Sequence, residues 1–322
     1  MVDHAKIGQQ LSALRNLHIA SERDTEFQSH IERLLKRDEA GAIIPDPVRF
    51  TQTGETRGIL VLDEPGGGKT TLVERGLRKL PALAQGPYGE PRYIASVVPN
   101  PATFKSMALS LLEVTGYPAV SPQREAWSMW QIVRKRMTEL GITVLWIDEA
   151  HDLFCADRNV ILRGLKTLMQ GDDALIVILS GTMKLGEIIR TDPQVQRRFS
   201  TLILPPVSEE EDRDMFASVI STYCEKVGLM PPDAPDLVGR LFRASRSRFG
   251  RAVETVIGAI ERALLEGADT LELEHFAEYW AIQEGCTVEM NVFHVDDWWD
   301  VPVDKPAAEL APKPKRGRKK AA

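Results

Sequence analysis

The sequence predicts an α/β fold, a parallel five-stranded sheet followed by a small helical lid domain. Three observations predict it. Five short apolar runs, within 59–62, 93–98, 142–147, 174–179 and 201–204, alternate with segments of helical periodicity. Strands separated by helices pair in parallel. A glycine-rich turn, Asp63-Glu64-Pro65-Gly66-Gly67-Gly68-Lys69-Thr70, follows the first run and opens a helix. From Ser208 to Glu284 no strand-like run remains and the pattern is helical.

Residues 1–45 read as a helical segment. Ile7, Leu11, Leu14 and Leu17 recur at helical spacing, as do Phe27, Ile31 and Leu34, until Pro45 and Pro47 break the pattern. Residues 46–207 form the expected sheet domain and 208–284 the helical lid. The lid opens at Ser208-Glu209-Glu210-Glu211, which resembles a capping box. Residues 285–322 are expected to be a flexible tail, acidic and aromatic at first (Asp296-Asp297-Trp298-Trp299-Asp300) and then basic. The Trp298-Trp299 stretch reads either as a partner-docking motif or as a segment packing back on its own body.

Composition bounds the class. A hydrophobic fraction of 43% in 322 residues can fill a core. Cys155, Cys224 and Cys286 form no paired motif, and the six histidines show no metal-ligand spacing. No apolar signal core or long uncharged run is found, so a cytoplasmic protein with no membrane span is expected. The last ten residues carry six basic side chains and no acid, so the remainder sums to −12 against −6 for the whole. An acidic body with a basic tail points to local, not global, contact with a polyanion.

Two stretches carry the chemistry. In the first, the glycines let backbone N–H groups turn inward around a polyphosphate, and the following helix aims its positive end at the same anion. Glu64, Pro65, Gly66, Gly67, Gly68, Lys69, Thr70 and Thr71 are the expected nucleotide-binding residues. Lys69 would reach the β and γ phosphates and the Thr70 hydroxyl would hold Mg2+. Asp63 stands where the usual pattern has Gly. A carboxylate there opposes a polyphosphate by charge, so weakened nucleotide binding is one expectation. A plain glycine-rich turn is the competing reading. In the second stretch, Ile142 to His151, an apolar run ends in Asp148-Glu149. That is a buried parallel strand with carboxylates at its carboxyl end, where the phosphate loop also sits. Asp148 would join Thr70 at the metal, and Glu149 would polarise a water for attack on the γ phosphate. Capping of the next helix is the alternative for this pair.

Other candidates follow in order. Thr182, or failing it Ser180, leaves the fourth strand where it could sense the γ phosphate. Arg197 and Arg198 precede the fifth strand and could reach a neighbouring subunit's nucleotide as an arginine finger, or be a solvated pair. Arg251, in the lid, could swing onto the phosphates or belong to a surface arginine cluster. In the tail, Lys315, Arg316 and Arg318 flank a Gly in a pattern similar to a minor-groove hook, though the proline expected after Arg-Gly-Arg is missing. A solubilising tail is the alternative.

Taken together, the five runs, the phosphate loop after the first, Asp-Glu after the third and the helical lid resemble an AAA+ ATPase over about residues 45–284. Within that class, Trp146-Ile147-Asp148-Glu149-Ala150-His151, Leu179-Ser180-Gly181-Thr182 and the segment ending at Arg251 resemble the TniB/TnsC group of transposition regulators. That group is related more distantly to MuB and to ExeA-type secretion ATPases. The resemblance implies Mg2+-dependent ATP hydrolysis and assembly of a homo-oligomer, a hexameric ring or helical filament, on duplex DNA. It implies engagement of a transposase and a target-selection protein, and disassembly on hydrolysis. It further implies DNA contacts from a loop after the second strand, with Thr103 and Lys105 as contacts. A motor acting on a protein substrate, and a nucleotide-binding scaffold with little hydrolysis, are the alternatives.

Overall fold

The structure, a computed structural model, describes residues 3–118, 121, 123–154 and 158–304. The chain divides into two compact units, Ala20–Pro205 and Met1–Ile19 with Pro206–Ala322. In chain order the first helix is α1 (His4–Asn16), followed by α2 (Glu22–Glu32) and the strands β1 (Leu35–Arg37) and β2 (Ile43–Pro47). Next come β3 (Gly58–Leu62), α3 (Lys69–Arg78), α4 (Pro81–Ala84), β4 (Tyr93–Val97), α5 (Phe104–Val114) and α6 (Ala126–Glu139). They are followed by β5 (Val144–Asp148), α7 (Arg158–Leu168), β6 (Ile176–Gly181), α8 (Met183–Arg190), α9 (Pro193–Gln196) and β7 (Phe199–Ile203). The second unit adds α10 (Glu209–Val227), α11 (Leu237–Ala244), α12 (Phe249–Glu266) and α13 (Leu273–Glu284).

The unit Ala20–Pro205 is built on a five-stranded parallel sheet of order β4-β5-β6-β3-β7. Every residue of β3, β5 and β6 is buried, whereas β4 and β7 alternate between covered and open positions. The central strands therefore read as continuous apolar runs because helices cover both of their faces, and the edge strands do not. The two faces separate cleanly by residue parity. Leu60, Leu62, Leu145, Ile147, Val177 and Leu179 pack with α5, α6, α7 and α8. Ile59, Val61, Val144, Trp146, Ile176 and Ile178 pack with Phe27 and Ile31 of α2 and Val73 and Leu77 of α3.

Residues 1–45 are not one helical segment. After α2 the chain makes an antiparallel hairpin of β1 and β2. The turn between them is set locally: Asp38 Oδ1 accepts the N–H groups of Ala40 and Ala42 at 3.0 and 2.9 Å, and Gly41 takes a φ of 82°. Pro45 and Pro47 hold β2 extended. The expected boundary is also corrected. Helix α1 belongs to the helical unit, where Ile7, Leu11 and Leu14 enter one core with Phe216, Tyr223, Leu241, Val256, Ile260 and Phe276.

The segment after Gly285 was expected to be a flexible tail, and up to Asp304 it is packed. Val292, Phe293, Val301 and Val303 are buried in that same core. Three arginines of α11 and its C-terminal turn fasten it. Arg240 Nη1 donates to the carbonyls of Val292 (2.8 Å) and Val295 (2.7 Å), Arg243 to that of Val301, and Arg246 to that of Val303. Three-residue spacing puts Arg240 and Arg243 on one side of the helix, and Arg246 follows in the turn with a φ of 55°. Trp298 packs against this core while Trp299 remains exposed. The basic candidates Lys315, Arg316 and Arg318 lie outside the described residues.

Candidate nucleotide site

The carboxyl ends of β3, β5 and β6 meet at one place, and the phosphate loop leaves β3 there. Gly66 and Gly68 have φ of 82° and 96°, a left-handed backbone that a side chain resists, so two of the three glycines are dictated by the turn. The third is dictated by packing. A Cβ on Gly67 would stand 1.5 Å from Asp63 Oδ2, so the buried Asp63 carboxylate lies directly against the loop. Asp63 Oδ1 accepts the Glu64 N–H at 2.7 Å, and the Asp63 N–H donates to the Gly181 carbonyl of β6 at 3.2 Å. The unusual acid thus ties the start of the loop to its own middle.

Lys69 begins α3 and is buried, with Nζ donating to the carbonyls of Asp63 and Glu64, both at 3.0 Å. Its ammonium is held inside the loop by carbonyl groups, where a phosphate oxygen could replace them. The Thr70 hydroxyl donates to Asp148 Oδ2 at 2.6 Å. Residues 78 apart in sequence therefore present two hard oxygen donors side by side, a donor type that suits Mg2+. Among the described residues no group of three or more His, Cys, Asp or Glu could hold a metal ion. An ion here would take its remaining ligands from phosphate and water, as Mg2+ commonly does.

Around Asp148 the donors are fully arranged. Ser180 Oγ donates to Oδ1 at 2.6 Å, and the Glu149 N–H donates to the same oxygen at 3.0 Å. Trp146 Nε1 donates in turn to Ser180 Oγ at 2.7 Å. Glu149 itself has a φ of 51°, uncommon for a residue with a side chain, and its Oε2 lies 3.3 Å from His151 Nδ1. Strain of this kind clusters at functional sites. Arg23 of α2 approaches from another side, with Nη1 donating to the Gly67 carbonyl at 3.2 Å and Nη2 to that of Pro205.

The sequence candidates divide by this geometry. Glu64, Pro65, Gly66, Gly67, Gly68, Lys69, Thr70, Asp148 and Glu149 gather at the strand ends. Thr71 is exposed in the first turn of α3. Ser180 touches Asp148, whereas Thr182, preferred from sequence, sits one step past β6 at the N-cap of α8 and makes no capping bond. The end of β6 explains the exchange: 180 is still in the strand and faces the α3 side with 176 and 178, whereas the strand stops at Gly181 and the chain turns into α8 at Thr182.

Arg198 is corrected outright. It is buried, its Nη2 pairs with Glu55 Oε1 at 2.6 Å, and its Nη1 donates to the Lys166 carbonyl at 3.2 Å. Burial lowers its pKa and the Glu55 carboxylate opposes that shift. An arginine held so inside its own unit is a bracing group and not a finger for a neighbour. Arg197 shares Glu55 at 2.8 Å with half its side chain at the surface. The Thr103 hydroxyl caps α5, accepting the Ser106 N–H at 3.0 Å, so its side chain is engaged in its own helix. Lys105 is half-buried on α5. Arg251 lies in the helical unit, where Nη2 meets Glu284 Oε1 at 3.0 Å.

Sequence reasoning passed over Trp146, His151 and Arg23. The first had a visible signal: an indole two residues before Asp148 in a strand must share its face. Arg23 had none, because its partners lie 44 and 182 residues away.

Comparison with known proteins bears on the fold and the family. A family model described as bacterial TniB protein matches residues 12–209, more than half of the chain. No curated protein matches significantly. Among solved structures, Aeropyrum pernix ORC1 in complex with DNA aligns with a TM-score of 0.56 and 20% identity, covering 71% of this chain and 60% of that one. The chain thus spans about three-fifths of that relative. Aeropyrum pernix ORC2, in ADPNP-ADP complexes, aligns at 0.56 and 15% identity, covering 85% of this chain and 72% of that one. Cdc6p from Pyrobaculum aerophilum aligns at 0.57 and 11%, covering 90% and 76%. These likenesses carry the fold, a P-loop sheet of the AAA+ type, and by the family match the chain belongs to the TniB family.

Proposed function

We propose that this chain is an ATP-hydrolysing regulator of transposition that assembles as a ring or filament on duplex DNA. The observation that carries the nucleotide part is the 2.6 Å bond between Thr70 and Asp148 beside the loop that holds Lys69. The family match supports the transposition part.

In this reading Lys69 exchanges its two backbone carbonyls for β and γ phosphate oxygens, and the loop N–H groups take the rest of the charge. Thr70 and Asp148 would hold Mg2+, which when bound supplies charge neutralisation across the phosphates. Glu149 accepts hydrogen bonding from an attacking water and orients it. For that it exchanges its contact with His151. Ser180, against Asp148, takes the role first expected of Thr182. Arg197, not Arg198, is the surface arginine left to reach a neighbouring copy. Lys105 and the tail residues Lys315, Arg316 and Arg318 are the proposed contacts to DNA phosphates. Such contacts position without reading sequence, and many weak ones add through assembly. The assembled state would engage a transposase and a target-selection protein.

Negative-stain imaging of the full chain with duplex DNA tests this, comparing a non-hydrolysable ATP analogue with no nucleotide. Rings or filaments on DNA only with nucleotide are expected. Bare DNA in both conditions overturns the assembly reading.

A further inference from the structure

We infer that Trp146 is a positioning residue for the metal site, acting through Ser180 to choose which oxygen of Asp148 faces Thr70. This rests on the ATP and Mg2+ reading above.

Strand parity puts the three groups together. On β5, Trp146 and Asp148 share the face that points toward α3, and on β6 Ser180 shares it with Ile178. Register makes them neighbours, since Ile147 pairs with Leu179 and the next residues on each strand are Asp148 and Ser180. Ser180 is wholly buried and Trp146 is 4% exposed, so water does not supply alternative partners.

The donor count then has one solution. An indole Nε1–H can only donate, and a serine hydroxyl has one proton and two acceptor lone pairs. The 2.7 Å indole bond occupies an acceptor position of Ser180 Oγ, which leaves the hydroxyl proton for Asp148 Oδ1 at 2.6 Å. Oδ1 also accepts the Glu149 N–H. With two donors on Oδ1, the carboxylate cannot rotate without stranding buried groups, and Oδ2 alone is presented to Thr70. An aliphatic residue at 146 would pack as well but would leave the hydroxyl free to turn. The tryptophan in an otherwise aliphatic run, Val144-Leu145-Trp146-Ile147, is thereby explained by its N–H.

The test measures metal and nucleotide binding separately in the full chain. Mn2+ binding with ADP present is read by electron paramagnetic resonance. Metal-free ADP binding is read by calorimetry in a chelator. Removing one buried bond from an arranged carboxylate should raise the Mn2+ dissociation constant of Trp146→Phe about tenfold, with metal-free ADP affinity unchanged within about twofold. Ser180→Ala should give the same rise, and the double variant no more than either single one, because both remove one chain of bonds. Unchanged Mn2+ affinity in Trp146→Phe overturns the inference, as does a double variant in which the two losses multiply. If Trp146→Phe does not fold, Trp146→benzothienylalanine, which keeps the bicyclic shape and lacks the N–H, decides: a rise in the Mn2+ constant at unchanged ADP affinity is expected, and no rise overturns it. A wild-type chain that binds ADP without metal coupling overturns the role of Asp148. One that binds no nucleotide at all overturns the ATP reading beneath it.

Discussion

The two units use buried polar groups in opposite ways. In the sheet unit Lys69, Thr70, Asp148, Ser180 and Trp146 converge on one point at the strand ends, each held by another of the set or by the loop. In the helical unit Arg240, Arg243 and Arg246 do not converge. They spread along α11 and the turn after it and fasten the C-terminal segment by its carbonyls. The first arrangement concentrates partial charge where a ligand could replace an internal partner. The second commits its donors to fixed backbone carbonyls and to the Asp236 and Glu284 carboxylates of its own unit, and leaves little to exchange. Convergence of donors that can change partners, more than burial of charge as such, marks the candidate site.

The comparison can be broken by substitutions that separate function from stability. The largest effect is expected of Lys69→Ala. Nucleotide affinity should fall by about 100-fold or more, since a charged donor aimed at phosphate is lost, while the two loop carbonyls that lose their donor cost only about 1–3 kcal/mol of stability. Calorimetry with ATP checks the first part and a melting curve the second. Next, Glu149→Gln should lower ATP turnover by about 100-fold and leave ATP binding intact, so that assemblies on DNA persist. Turnover and imaging assays read the two halves. In the helical unit, Arg240→Ala should cost about 2–4 kcal/mol of stability, because two buried carbonyls lose their donor. Urea unfolding measures it, with ATP affinity in the sheet unit as the control expected to hold.

The smallest effect depends on pH. Bonding from Arg246 holds the Glu284 carboxyl below its usual 4.5, against the opposing effect of burial. A depressed carboxyl contributes stability above the unfolded value and loses it as pH falls through the folded one. Glu284→Gln should therefore lower the melting temperature at neutral pH, and the gap to wild type should close as pH falls below 4.5 and through the lowered folded value. A gap that persists in acid would show that packing, and not charge, sets this contact.

Much of the sheet unit was legible because a parallel strand covered on both faces leaves a continuous apolar run, and because the phosphate loop must have glycine where φ is positive. The hairpin of β1 and β2 was not, since Leu35-Lys36-Arg37 is too short to show a period and Asp38 writes its turn in side-chain bonds. Thr182 over Ser180 was a choice between two hydroxyls of the same parity, and only the exact end of β6, at Gly181, decides which one is still in the strand. The inward turn of Arg198 depends on Glu55, 143 residues away. The packed segment from 285 to 304 was hidden because its buried anchors, Val292, Phe293, Val301 and Val303, show no helical or strand period, while its fasteners lie on and just after a different helix.

The contact between Asp63 and Gly67 carries a consequence for how this loop can vary. With the carboxylate 1.5 Å from where a Cβ would be, neither position is independent of the other. A library randomised at both should recover Asp63 only with Gly67, while Gly at 63 should permit Ala or Ser at 67. The two residues form a single inherited unit: a lineage leaving the acid behind changes position 63 first, since the reverse order pushes the Asp63 carboxylate out of its place against the loop and off the Glu64 N–H.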